Sequence, residues 1–428
     1  MNHDGFNARL AQVGEILKKY GLESSDISPI EYDAECPFPY NNFIYKVTLA
    51  KPATRGCFPD GICTTALQRD DLTALVIRLS NPKAEGLNHA NRVQNEVASM
   101  HLARKGLQSF KPELVDVIPA VYAWGAREGD ELGWTLMEFK EGTQLDTIFA
   151  SLSDADKTDV VEQIADIFSG VQRAPLPASV TSYGGLTVDV ERGEIVTGQM
   201  TTLEGGPWNE YADLWRTTLS ASLAEAEGST VLEGWRPNGV REILDAFISS
   251  GLQGFLAKSG VDTTLRGLVH GDLTMNNILY NQETKKITAL VDFDFASVLH
   301  PAHEFFTSFG DIGGSTAGMR GPDLSEGRLS KAILSGKFDV EDVPEAAKSQ
   351  WDIARTWDTA LQKRGTPRPS DVAGMQAVNQ LRELNGLLYP FRLAHPMFLK
   401  RMTLEQVVEG RKAAEATLKS LLETLSSE

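Results

Sequence analysis

The stretch Leu268-Val269-His270-Gly271-Asp272-Leu273-Thr274-Met275-Asn276-Asn277-Ile278-Leu279, followed by Ala289-Leu290-Val291-Asp292-Phe293-Asp294, constrains this chain more than any other. It sets a polar loop carrying Asp272 and Asn277 between apolar, strand-like runs at 267–270 and 278–280. Asn281-Gln282-Glu283-Thr284-Lys285 reads as a hairpin connection, and 287–291 as the returning strand. A hairpin folds the chain back on itself, so Asp292 is expected beside Asp272 and Asn277. Three oxygen-bearing side chains then converge on one point.

That order and spacing match a phosphoryl-transfer template. In it one Asp receives the proton of the attacking hydroxyl, while an Asn and a second Asp hold Mg²⁺ against nucleotide phosphates. Hard oxygen ligands suit Mg²⁺, which is held by a few protein groups together with phosphates and water. Asp272 is therefore the expected catalytic residue, and Asn277 and Asp292 the expected metal ligands. Each fragment alone also reads as a turn former, because Asp after Gly and paired Asn are common in loops. Both together, in order and flanked by strands, favour the site.

Composition narrows the setting. The chain has 428 residues, enough for one large or two ordinary domains with a sizeable core. A net charge of −17 argues against nucleic acid and anionic membrane surfaces as partners, and suits solubility or a cationic substrate. Three cysteines, Cys36, Cys57 and Cys63, do not make a disulfide scaffold and point to a reducing compartment. Cys57 and Cys63 with His89 and His101 lack the spacing of a zinc site. The amino terminus lacks the basic and apolar regions of a secretory signal, and no apolar run is long enough to span a bilayer. A cytoplasmic enzyme is expected.

Upstream, Leu10, Val13, Ile16 and Leu17 recur at helical spacing over 6–20, closed by Gly21. A strand over 43–49 places Phe43, Tyr45, Val47 and Leu49 on one face, and a second strand is expected at 73–79. The intervening segment, 51–71, is long and rich in Pro, Gly and Asp, and is expected to be disordered. A helix over 88–105 follows, with Val93, Val97 and Met100 on its inner face, then a hairpin of 121–124 with 134–139. Arg78, in Val76-Ile77-Arg78-Leu79, stands where the kinase template has a Lys, and Glu96 where it has that cation's ion-pair partner. An Arg holds phosphate bidentately, with different reach and hydration from Lys. The competing reading has Arg78 pointing outward from its strand and Glu96 on a solvated helix face. Glu138-Phe139-Lys140-Glu141-Gly142 is the expected connector between lobes, where backbone groups meet the adenine edge; Glu138 and Lys140 are its candidate nucleotide contacts.

Together these residues resemble the aminoglycoside phosphotransferase and choline kinase superfamily, over about residues 36 to 399. Tyr40-Asn41-Asn42-Phe43-Ile44-Tyr45 and 181–189 are similar to a mainly fungal, functionally uncharacterised branch of it. The resemblance implies an α+β, bilobal, protein-kinase-like fold. A small antiparallel-sheet lobe would bind nucleotide over 1–138, and a larger, mainly helical lobe over 139–428 would carry catalysis and substrate binding. It also implies transfer of the γ-phosphoryl group of ATP, with Mg²⁺, to a hydroxyl of a small molecule. Backbone recognition leaves GTP open. The rival readings are a nucleotide-binding pseudokinase or regulatory protein, and another ATP-dependent transfer such as nucleotidylation on the same fold.

Departures from the pattern matter. Pro37-Phe38-Pro39-Tyr40-Asn41-Asn42 has no glycine, so Asn41 and Asn42 either supply polar groups to phosphate or simply form a turn. No A-P-E segment follows Asp292, which argues against a protein kinase with a regulated activation loop. Gln172 stands where relatives often carry His. Asp294 has either a metal or acceptor role or a structural one, and His300 and His303 either touch substrate or are hydrogen-bonded structural residues. Segment 310–337, rich in Gly and Ser, is expected to be a mobile loop near the site. Helices are expected near 159–171, 208–227, 240–256, 347–364, 372–390 and 404–425, the last three walling the acceptor pocket.

Overall fold

A computed structural model describes residues 2–30, 36, 38–129, 131–316, 324–339 and 343–427. Helix α1 (Phe6–Lys19) precedes strands β1 (Ser24–Pro29), β2 (Asn42–Ala53) and β3 (Leu72–Ser80). Helix α2 (Arg92–Phe110), β4 (Val121–Gly125) and β5 (Trp134–Glu138) follow, and the five strands form one antiparallel sheet in the order β1-β2-β3-β5-β4. Alternation of side chains divides the sheet into two faces. Phe43, Tyr45, Val47, Leu49, Leu75, Ile77 and Leu79 pack in one core with Val13, Ile16 and Leu17 of α1. The strand register sets Ile44 opposite Arg78 and Lys46 opposite Val76, one residue out of phase with that core and therefore on the other face.

The structure adds one strand, overturns one expectation and extends another here. Strand β1 was not anticipated, because Ser24-Ser25-Asp26-Ile27-Ser28-Pro29 has no apolar alternation; it is an edge strand with no buried residue, held by backbone pairing to β2. The segment 51–71 is not disordered. Strand β2 runs on to Ala53, Phe58 and Leu67 are buried in the core, and the Phe58 ring stacks on Tyr122 at 5.0 Å. Two apolar anchors outweigh the Pro, Gly and Asp of that stretch. Val93, Val97 and Met100 of α2 are buried as expected, and Arg92, Asn95, Glu96 and Ser99 are buried with them.

The chain continues with β6 (Thr143–Gln144), α3 (Leu145–Ile148), α4 (Asp154–Gln172), β7 (Gly185–Asp189), β8 (Glu194–Gly198), α5 (Tyr211–Gly228), α6 (Val240–Ala246) and α7 (Leu252–Lys258). Short strands β9 (Gly267–Val269), β10 (Ile278–Asn281), β11 (Lys286–Leu290) and β12 (Ser297–Leu299) come next. The remaining helices are α8 (Glu304–Thr307), α9 (Leu324–Ser335), α10 (Lys348–Lys363), α11 (Met375–Leu388), α12 (Phe391–Ala394), α13 (Pro396–Leu399) and α14 (Leu404–Ser427). The fold is α+β, with an antiparallel sheet toward the amino terminus and a mainly helical remainder. The stretch expected as one mobile loop, 310–337, instead contains the helical turn Gly310–Ile312 and helix α9; its residues 317–323 lie outside those described.

Two compact units divide the chain. Met1–Pro207, Arg266–Gly314 and Glu345–Thr366 form the first, which contains every candidate catalytic, nucleotide and metal residue. Trp208–Leu265, Ser315–Pro344 and Pro367–Glu428 form the second. Its core includes Trp235, whose Nε1 donates to the Leu388 carbonyl at 2.8 Å and whose ring packs under the Arg411 guanidinium at 4.1 Å. Among the described residues, no helix is long and apolar enough to cross a membrane.

Candidate active site

Strands β10 and β11 pair antiparallel with Ile278 opposite Leu290, and the Val291 N–H donates to the Asn277 carbonyl at 2.9 Å. The hairpin thus returns the chain to the loop that carries Asp272 and Asn277. Asp292 follows with φ of 63°, a left-handed conformation that costs a non-glycine residue energy and clusters at functional sites. Asn277 Nδ2 donates to the Asp272 carbonyl at 2.8 Å and to its Oδ2 at 2.9 Å. At Gly271, φ is 82° and a Cβ would stand 2.7 Å from the Phe295 carbonyl oxygen, so only glycine fits there.

Buried polar groups sew this loop down. His270 is wholly buried; its Nε2 lies 3.2 Å from the Val291 carbonyl, and its Nδ1 accepts from the Asp272 N–H at 3.3 Å. Burial pushes the His270 imidazole down to about 4, so it stays neutral and can donate at one nitrogen while accepting at the other. Glu304, also wholly buried, accepts the backbone N–H groups of His270 at 2.7 Å and Gly271 at 3.0 Å, and the Ser308 hydroxyl at 2.6 Å. Ser308 Oγ in turn accepts from the Leu273 N–H at 2.8 Å, and Asp311 accepts from Met275 N–H. Gln172 Nε2 donates to the Leu268 carbonyl at 3.2 Å. Burial raises the Asp272 carboxyl above the ordinary aspartate value; the Asn277 hydrogen bond opposes this, and the charge of Asp292 adds to it.

From the sheet side, Arg78 on β3 is 5% exposed and ion-paired with Glu96 on α2. Its Nη2 lies 2.8 Å from Asp292 Oδ1 and 3.2 Å from Asp294 Oδ2. Burial opposes the Arg78 charge, but the carboxylates of Glu96, Asp292 and Asp294 hold it firmly protonated. Burial also pushes the Glu96 carboxyl up, against the pull of Arg78. The solvated-helix reading of Glu96 is thereby excluded. Asp294 is 2% exposed and takes hydrogen bonds from Arg92 and Asn42, which is a structural position.

One cavity of about 750 Å³ collects most of the candidates. Asn41, Asn42, Arg78, Glu96, Asn277 and Asp292 line it. So do Glu138 and Lys140 of the connector, joined to each other at 2.9 Å. Glu138 also accepts from the Ala120 N–H at 3.3 Å, and Lys46 Nζ sits 4.2 Å from the Phe139 ring centre. Asp272 is not among the described lining residues; Asn277, which lines the cavity, donates to the Asp272 carbonyl and carboxylate from Nδ2. His300 Nδ1 accepts from the Ala302 N–H at 3.2 Å, capping a helical turn, and the His303 ring packs on Phe306 at 5.3 Å.

Sequence reasoning missed Arg92, Glu304, Ser308 and Asp311. Glu304 follows directly on His303, and that cluster of polar residues at the start of a helical segment was the only local signal.

A family model described as the phosphotransferase enzyme family matches residues 64–326, more than half of the chain. No curated protein sequence matches it. Among solved structures, an aminoglycoside phosphotransferase candidate from Ralstonia eutropha JMP134 is 13% identical with a TM-score of 0.49, covering 98% of each chain. The gentamicin complex of APH(2'')-IIa is 12% identical with a TM-score of 0.45, over 96% of this chain and 95% of that one. ADP-bound aminoglycoside phosphotransferase APH(2'')-Ib is 11% identical with a TM-score of 0.44, over 96% and 99%.

Proposed function

Because the chain belongs to the phosphotransferase enzyme family, we propose that it transfers the γ-phosphoryl group of ATP, with Mg²⁺, to a hydroxyl of a small molecule. The observation that carries this reading is the single cavity lined by Asn277, Asp292 and the Arg78–Glu96 pair, with Asp272 hydrogen-bonded to Asn277. Nucleotide binding is assigned to residues 1–138, and catalysis and acceptor binding to 139–428. The free thiols of Cys36, Cys57 and Cys63 support a cytoplasmic setting.

The donor set fits Mg²⁺. Asp292 has a side chain 40% exposed, and the Asn277 amide supplies a second hard oxygen on the same cavity. When bound there, the ion would offset negative charge on the phosphate oxygens. Arg78, kept cationic by its three carboxylates, would orient those oxygens from the sheet side. The acceptor oxygen bonds to the γ-phosphorus as the bond to the bridging oxygen breaks, and its proton passes to the Asp272 carboxylate. The raised affinity of Asp272 for a proton suits that task. The acidic balance of the chain supports a cationic acceptor.

The test is to incubate the protein with a metabolite extract, Mg²⁺ and either ATP or GTP, and to resolve products by mass spectrometry. A phosphorylated small molecule, absent with Asp272→Ala, is the expected result. A product carrying a nucleotidyl group would establish a different transfer. Failure to bind either nucleotide, with or without Mg²⁺, would remove the reading altogether.

A further inference from the structure

Four segments distant in sequence meet at one guanidinium. Arg92, the first residue of α2, is 3% exposed. Its Nε donates to Asp294 Oδ1 at 2.7 Å, and its Nη2 reaches Asp294 Oδ2, the Asn41 carbonyl at 2.9 Å and Asn42 Oδ1 at 3.2 Å. Its Nη1 lies 3.4 Å from the Asn81 carbonyl. Asp294 also receives Asn42 Nδ2 at 3.1 Å and Arg78 Nη2 at 3.2 Å. One turn along α2, Glu96 holds Arg78. Between them Asn95 donates to the Ala296 carbonyl at 2.8 Å and accepts from the Leu186 N–H at 2.6 Å. Residues 92, 95 and 96 share one face of the helix, so one rigid surface touches the Asn41–Asn42 segment, Arg78 and the turn after Asp292.

A buried ion pair contributes little net stability, because desolvation offsets attraction, so stability alone does not account for this one. What it supplies is geometry. The guanidinium fork binds both carboxylate oxygens while its remaining donors hold two backbone carbonyls, an arrangement that the single ammonium of Lys cannot reproduce. Asn41 lies in a bend and Asn42 opens β2 opposite Ser80, so backbone pairing holds this segment to β3, and Arg92 adds side-chain bonds to the Asn41 carbonyl and Asn42 Oδ1. Neither Arg92 nor Asp294 is among the described lining residues of the 750 Å³ cavity, whereas Asn41, Asn42, Arg78 and Asp292 are.

We propose that Arg92 and Asp294 are positioning residues for nucleotide use, a clamp that locks the phosphate-side segment and the metal-side turn to the start of α2 before nucleotide arrives. This rests on the nucleotide reading above, and deepens it by naming what preorganises the site.

Arg92→Lys and Asp294→Asn keep size and polarity, and are the variants to make. Removing a charge-assisted fork should raise the nucleotide Kd and KM by roughly tenfold or more. The Mg²⁺ concentration for half-maximal nucleotide binding should rise as well, while acceptor KM stays within about twofold. Amide hydrogen exchange over residues 38–44 of the nucleotide-free variants should quicken, with exchange on β10 and β11 unchanged. That second measurement does not depend on any nucleotide being bound. Exchange at the wild-type rate in both variants overturns the clamp. So does faster exchange with wild-type nucleotide affinity, or a loss of activity that only tracks the unfolded fraction. Absence of nucleotide binding by the unaltered protein instead overturns the parent reading.

Discussion

At Asp272, function and stability pull in opposite directions. Its carboxyl is raised above the usual aspartate range by burial, with Asp292 adding to the effect, so the fold favours the protonated form and ionisation at neutral pH works against folding. Asp272→Asn retains an oxygen to accept the Asn277 amide and removes that penalty. Turnover should fall by about 10²–10⁴-fold, while the thermal midpoint at pH 7 rises. A calorimetric midpoint below that of the parent would refute the burial argument. The Arg78–Glu96 pair makes a different test. Both residues serve one interaction, so in a double-mutant cycle of Arg78→Gln and Glu96→Gln on nucleotide affinity the combined loss should be clearly smaller than the sum. Strict additivity would mean that they act independently. Asp272, Asn277 and Asp292 were legible in the sequence because a short loop and a hairpin convert spacing into contact. Arg92 was not, since a guanidinium at a helix start reads as a solvated charge until its partner, 202 positions away, is known.

Helices α2 and α4 cross at glycines, and this sets where Glu96 and Arg92 stand. A Cβ on Gly106 would lie 2.2 Å from the Gly170 carbonyl oxygen, and one on Gly170 would lie 2.3 Å from Leu107 Cδ2. Gly106→Ala should therefore cost about 1–3 kcal/mol or more by overpacking. It should also weaken nucleotide binding, by displacing the helix that holds Arg78. Gly14 on α1 is the matched control: nothing lies within 4 Å of its added Cβ, so Gly14→Ala should stabilise by roughly 0.5–1 kcal/mol without touching affinity. Chemical denaturation with nucleotide titration on both variants tests the contrast, and equal effects would count against the crossing as the cause. At this scale the sequence was informative where periodicity was strong, as in α1, β2, β3 and the β10–β11 hairpin. It was silent at β1, which is held chiefly by backbone pairing, and misled over 51–71 and α9, where Pro, Gly and Ser obscured a few apolar anchors and a helix.

For the molecule as a whole, acid should act through the histidines whose charge burial disfavours, His101, His303 and, in the loop of Asp272, His270. In the fold His270 titrates at about 4, because burial disfavours its charge, whereas unfolded imidazole titrates near ~6.5. The unfolded chain therefore takes up this proton first, and stability is lost as pH falls from about 6.5 toward 4, by up to roughly 3 kcal/mol. The raised carboxyls of Glu96, Asp272, Glu304 and Asp311 act with the opposite sign, so the His270 contribution is isolated by comparison with His270→Asn. Urea midpoints at pH 7 and pH 5 should fall less in the variant, and an identical fall would exclude this residue as the cause. The sequence by itself determined the strongly periodic elements, the α+β class and the close-range trio of Asp272, Asn277 and Asp292, because period and hairpin geometry are local properties. Only the tertiary structure decided that Glu304 and Ser308 hold the amides of the loop before them, that Arg92 joins Asp294 to the Asn41–Asn42 segment, and that Phe58 packs on Tyr122. A polar group entering the interior must find a partner, but nothing in its own neighbourhood says which one; the path of the folded chain does.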